Sequence, residues 1–178
     1  MIGQKKGLQV MLDESKNLNE GKTGYSAIQA ASLIIMRMLI GWHFLYEGLV
    51  KIYNPSWTSA GYLSESRWIF SGFFSWIVSN PIILHMSDFM NEWGLIAIGL
   101  GLITGTLTRI ASFSGILLLL LYYCANPPLI GYTYSAPMEG AYLIVSKNLI
   151  EAFALLVLTV FPTGHIVGLD RLLFPKKK

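Results

Sequence analysis

Cysteine is almost missing: the 178 residues contain one, Cys124. An internal disulfide is therefore excluded, as is any iron–sulfur or multi-cysteine metal site built from this chain alone. Charge is scarce as well. Asp, Glu, Lys and Arg make up 13% of the chain, against about 25% in a typical soluble domain. The usual fingerprints of a dinucleotide fold (GxGxxG) and of covalently attached haem (CxxCH) are absent. No internal repeat and no low-complexity tract occurs. The net charge is +3, but the surplus sits in the two tails, so nothing supports a nucleic-acid partner.

What the chain has instead is apolar length. Hydrophobic residues account for 53% of it, which predicts an integral membrane protein. Residues 1–24 read as a polar tail and 174–178 as a basic tail, with one membrane domain over 25–173. The apolar runs predict an all-α, four-transmembrane-helix bundle with helices at about 27–52, 91–107, 110–125 and 141–161. The first run follows the polar tail and is expected to remain as the first helix. Between the first two helices lies a long aromatic connection. Its segment 67–90 is too short between breakers to span, and is expected to lie in the interface or re-enter the membrane, with Trp57, Trp68 and Trp76 at headgroup level. Gly94, Gly99, Gly101 and Gly105 allow the second helix to pack closely within the bundle or against a second copy.

Nine of the 13 Lys and Arg fall in the tails and in the turn at Arg109. That bias predicts both termini in the cytoplasm.

The first run is apolar, yet it carries Arg37, His43, Glu47 and Lys51. Each ionisable group at the centre of a membrane helix costs roughly 2.5–3.5 kcal/mol on insertion scales. At about 100° per residue the four fall within an arc of about 120°. Such a stripe should face protein or water. Counting depth from the expected inner ends pairs Arg37 with Glu151 as a buried structural ion pair, and sets His43 level with Lys147. Glu47, Lys51, Glu92, Tyr122, Tyr123, Cys124, Lys147 and Asn148 gather at the outer end. The expectation is a polar, outward-facing pocket within the bundle. Charge neutralisation that fixes helix register is the plainer alternative. Cys124 reads first as a packed apolar residue. His165 reads as a solvated surface residue. His85 and Asp88 stand three apart, but too few further ligands cluster there to suggest a metal.

Several stretches resemble the DoxX/DoxD membrane family. They are RMLIGWHFLYEGLVKI (Arg37–Ile52), NPSWTSAGYL (Asn54–Leu63), NEWGLIAIGLGLITGTLTRIA (Asn91–Ala111), LLLLLYYCANPP (Leu117–Pro128), YLIVSKNLIEAFALLVL (Tyr142–Leu158) and FPTGHIVGLDRLL (Phe161–Leu173). DoxD is the membrane subunit of thiosulfate:quinone oxidoreductase. The long aromatic loop and the KNLIEA segment look more similar to DoxD than to the shorter DoxX proteins. The resemblance implies a prokaryotic plasma-membrane protein that oxidises thiosulfate to tetrathionate and passes electrons to a membrane quinone, with a DoxA-like accessory subunit as a partner. On that reading Lys51 and Lys147 attract the thiosulfate dianion. His43, Tyr122, Tyr123 and Asn148 face the quinone, and Glu47 or Glu92 moves protons. Cys124 is a further candidate for direct sulfur chemistry, and no metal or flavin site is evident. Two other readings stay open: a non-enzymatic module that binds quinone or lipid and anchors a redox partner, and a small anion transporter. The oligomeric state is open too, a homo-oligomer among the possibilities.

Overall fold

The computed structural model describes residues 25–129, 131, 134 and 141–173. Both expected tails and most of the Pro/Gly/Tyr loop lie outside the described residues. The described chain is mainly helical: α1 Ala27–Tyr53, α2 Ala60–Ser64, α3 Ser71–Ser79, α4 Pro81–Thr104, α5 Thr108–Ala125, α6 Lys147–Val160 and α7 Asp170–Leu173. A minimal antiparallel hairpin, β1 Ala141–Tyr142 and β2 Val145–Ser146, precedes α6. Among the described residues, α1 and α5 are long and apolar enough to cross a membrane.

The local chemistry explains the boundaries. Helix α1 starts with a capping box: Ser26 Oγ accepts from Gln29 N–H at 3.3 Å, and Ser26 N–H donates to Gln29 Oε1 at 2.9 Å. It ends before Pro55, with Asn54 as C-cap. Helix α4 starts ten residues earlier than the sequence suggests. Pro81 interrupts the chain as a helix start, not as a stop, because an N1 proline lacks only an N–H that would have no helical partner anyway. The segment expected at 67–90 is thus two different objects. Residues Ser71–Ser79 form the short helix α3, and Ile82–Met90 are the first turns of α4. At 1.5 Å per residue, the 24 residues of α4 extend about 36 Å. Helix α6 is shorter than the expected 141–161, because residues 141–146 turn into the hairpin and Ser146 caps the helix.

One core joins the four long helices. Ile40 and Phe44 of α1 meet Leu95, Ile98 and Leu102 of α4, Leu119 of α5, and Ala152, Leu155 and Leu158 of α6. A smaller cluster of Leu63, Phe74, Ile77 and Ala125 seats α2 and α3 against the end of α5. The opposite faces are apolar and uncovered: Ile35, Leu39, Trp42 and Tyr46 on α1, Phe113 and Leu117 on α5, and Ile150, Phe153 and Val160 on α6 are all exposed. Outward apolar faces of this extent suit a hydrocarbon solvent.

Helices α1 and α4 cross at backbone contact. A Cβ on Gly99 would lie 2.6 Å from Leu45 N and 2.8 Å from Gly41 O, and one on Gly48 would lie 3.0 Å from Glu92 O. Gly99 therefore packs within the fold. Gly94 has open space around it, so only part of the glycine row serves the crossing.

The end of the fold that holds the N-terminus of α5 is tied by a carboxylate from far along the chain. Leu107, at the N-cap of α5, has no side chain able to cap. Asp170 does it instead: Oδ1 accepts from Leu107 N–H at 2.6 Å, and Oδ2 accepts from Thr108 N–H at 3.1 Å and from the Thr108 hydroxyl at 2.7 Å. Burial pushes the Asp170 carboxyl up. The bonds from Thr108 and Leu107, with the nearby His165, outweigh it and hold the group below its ordinary 3.8.

Two predictions follow from this packing. Gly99→Ala should destabilise the protein by about 1–3 kcal/mol through overpacking, while Gly94→Ala should be neutral or stabilising. Thermal unfolding in detergent compares them. For Asp170 the folded group holds its proton less tightly than the unfolded one, so its stabilisation is complete above the ordinary carboxylate range and vanishes as pH falls through the depressed folded value. Asp170→Asn should flatten the acid limb of the unfolding midpoint against pH and cost about 1–3 kcal/mol at neutral pH.

Candidate functional site

The charged stripe of α1 is divided between two environments. Arg37, 2% exposed, donates from Nη1 to Thr163 Oγ1 at 3.1 Å and from Nη2 to the carbonyl oxygen of Val167 at 2.7 Å. It belongs to the tied end of the fold. The expected Arg37–Glu151 pair does not form. Glu151 Oε1 instead lies 2.8 Å from His43 Nδ1. The reason is register. Helix α6 begins at Lys147, and the chain after Val160 folds back beneath α1, so Thr163 and Val167 arrive at Arg37 while Glu151 meets His43.

The outer half of the stripe lines a cavity of about 870 Å³. Its walls come from α1, the segment after it, α2, α3, α4, α5 and the start of α6. His43, Glu47, Lys51, Tyr122, Lys147 and Asn148, all named from sequence, converge there. Three do not. The backbone carbonyl of Glu92 lies at the crossing with α1 near Gly48, and Glu92 does not line the cavity. The Tyr123 hydroxyl is spent on the carbonyl of Ile144 at 2.8 Å, and its ring packs edge-on against Trp68. Cys124 is a partly buried free thiol outside the lining. At 100° per residue neighbouring positions cannot all face one space, and Tyr122 takes the inward direction.

The cavity has a charged end and an apolar end. At the charged end Lys51 Nζ donates to Glu47 Oε2 at 2.8 Å and lies 5.4 Å from the centre of the Trp57 ring. Trp57 is therefore an inward wall, not a headgroup anchor. Lys147 is the first residue of α6, where a cation opposes the helix dipole. No hydrogen bond or ion pair holds its ammonium among the described residues, although its charge is felt at both His43 and Glu47. Phe73, Phe74, Trp76, Met86, Met90 and Leu121 supply the apolar walls.

Residues that the sequence reading passed over complete the site. Asn91, expected to open a helix, is inside α4 and donates from Nδ2 to the Tyr122 hydroxyl at 2.8 Å. Tyr62 of α2 donates to the carbonyl of Tyr122 at 2.8 Å, and Asn126 Nδ2 donates to the carbonyl of Tyr62 at 2.9 Å. Burial pushes the Tyr62 phenol well above its ordinary value, so it acts as a neutral donor. Asp88 pins the roof: it accepts from the Thr58 hydroxyl at 2.8 Å, and from the Ser59 N–H at 2.9 Å and hydroxyl at 2.5 Å. An asparagine or aspartate on the inner face of an otherwise apolar helix was the signal available for Asn91 and Asp88. The expected start at residue 91 lies ten residues too late and leaves Asp88 outside the helix.

Among the described residues, no group of three or more His, Cys, Asp or Glu is placed to hold a metal ion. No protein-family model, curated protein or solved structure matches the chain.

Asp88→Ala should free the roof segment at Thr58 and Ser59. The expected loss is about 1–3 kcal/mol, with faster proteolysis between α1 and α2. Unchanged cleavage would show that the roof is held by other contacts.

Proposed function

We propose that the chain is a DoxD-like membrane subunit of a thiosulfate:quinone oxidoreductase, with the cavity as its reaction site. In this reading all four long helices cross the plasma membrane of a prokaryote, both termini are cytoplasmic and the cavity faces outward. The observation that carries the reading is the convergence of Lys51, Lys147, His43 and Glu47 on one cavity that also has a large apolar wall. A purely structural charge cluster would pair every member, yet among the described residues nothing pairs with Lys147, at a position where a cation disfavours its own helix.

The chemistry balances as follows. Two thiosulfate dianions join through a new S–S bond as two electrons leave, and a membrane quinone supplies the acceptor for two electrons and two protons. Lys147 and Lys51 neutralise the dianions and reduce their mutual repulsion. The Trp57 ring holds Lys51 in place. The Tyr122 hydroxyl accepts from Asn91 and retains its own proton to donate toward a carbonyl, and Asn91 Oδ1 is buried without a partner. That end fits a neutral oxygenated headgroup beside apolar walls. His43, bonded to Glu151, and Glu47, bonded to Lys51, are placed to hand protons across the cavity. A DoxA-like subunit remains a proposed partner.

Lys147→Met should lower thiosulfate-dependent reduction of a quinone analogue by at least about tenfold while leaving the unfolding midpoint unchanged. Lys147→Arg should recover part of the rate. The rate is measured on purified protein with and without any partner subunit. No thiosulfate-dependent reduction in either preparation would refute the reading. Activity untouched by Lys147→Met would move the anion away from this cavity.

A further inference from the structure

A second space touches the cavity. It is an open groove of about 610 Å³ between α1 and α6, walled by Ile35, Leu39, Ile150 and Ala154. Lys147 lines both spaces, and Glu151, which lines the groove, is bonded to His43, which lines the cavity. The His43–Glu151 pair therefore stands at the boundary between them. From His43 to Ser32, the far end of the groove on α1, is eleven residues, or about 16 Å along the helix. Three of the wall residues, Ile35, Leu39 and Ile150, are exposed on faces suited to hydrocarbon.

The geometry points to this groove as the tail subsite of a membrane-soluble ligand with a single hydrocarbon chain, whose headgroup lies in the cavity. This rests on the proposed quinone reading and adds where the chain goes and how the headgroup arrives. The headgroup passes sideways from the bilayer past His43 and Glu151, and the chain stays behind along α1 and α6. Four features agree. The groove walls are aliphatic. The groove runs along α1, one of the two helices long and apolar enough to span a membrane. It meets the cavity at its charged end. The groove and the cavity share Lys147, and the bonded His43–Glu151 pair links their linings. The core residues Phe44 and Leu155 stay in place.

The test uses full-length protein in lipid nanodiscs and two probes with the same benzoquinone headgroup, one carrying a decyl chain and one carrying none. Binding is read from quenching of the Trp57 and Trp76 fluorescence in the cavity wall. Two variants fill the groove from opposite sides, the double variant Ile35→Phe/Leu39→Phe on α1 and Ile150→Phe on α6. These positions are exposed, and an unchanged unfolding midpoint verifies each fold. In the wild type the decyl probe should bind more tightly than the chainless one. Either variant should weaken the decyl probe by at least about tenfold and leave the chainless probe within twofold. A chain preference unchanged in both variants would overturn the tail subsite, and the groove would then hold only bulk bilayer lipid. Failure of the chainless probe to bind the wild type would instead overturn the quinone reading itself, and the tail subsite with it.

Discussion

A charge on an otherwise apolar helix must be answered by protein groups, and that requirement orders this fold. Arg37 is answered at one end by Thr163 and Val167, Glu151 by His43, and Glu47 by Lys51. The first two answers join distant parts of the chain, whereas the Glu47–Lys51 pair lies within α1. The Arg37 contacts draw the segment after α6 back beneath α1, which places Asp170 against the start of α5. The His43–Glu151 bond joins α1 to α6 at the depth where the cavity begins. Among the described residues no hydrogen bond or ion pair holds the Lys147 ammonium, and that makes the arrangement a candidate binding site.

The glycines determine where the space lies. Gly41, Gly48 and Gly99 let α1 and α4 meet at their backbones. Gly115 of α5, where a Cβ would meet Leu155 of α6 at 2.7 Å, brings those two helices close in the same way. Two tight pairs result, and the open volume falls between them under the roof of α2 and α3. The roof is pinned by Asp88 and by the Tyr62–Tyr122–Asn126 hydrogen bonds. The same arrangement leaves the groove between α1 and α6 open to the surroundings.

The helical class, the extent of α1 and α5, and the inward direction of the stripe were legible in the sequence because periodicity and capping residues are local signals. His43, Glu47, Lys51, Tyr122, Lys147 and Asn148 were legible for the same reason, as polar residues on apolar helices. Long-range register was not. Helix α6 begins six residues later than hydrophobicity suggests, and the hairpin at 141–146 is apolar enough to read as helix. The segment after α6 folds back to bring Thr163 and Val167 to Arg37, and Glu151 meets His43 instead. Pro81 is a helix start where the sequence suggests a break, which puts Asp88 inside α4. Glu92, Tyr123 and Cys124 were placed by their level in the membrane, but level does not fix direction around a helix. Trp57 shows the converse case: an aromatic residue typical of headgroup anchoring lines the cavity beside Lys51.

The most direct measurement is native mass spectrometry of the protein released from native membrane vesicles, read for small molecules that stay bound. If the cavity is a reaction site for an anion and a membrane-soluble acceptor, the spectrum carries an isoprenoid quinone adduct, and added thiosulfate produces a further mass shift that Lys147→Met abolishes. A spectrum showing only phospholipid, unchanged by thiosulfate in both proteins, would contradict it and leave the charges of α1 and α6 with a purely structural role.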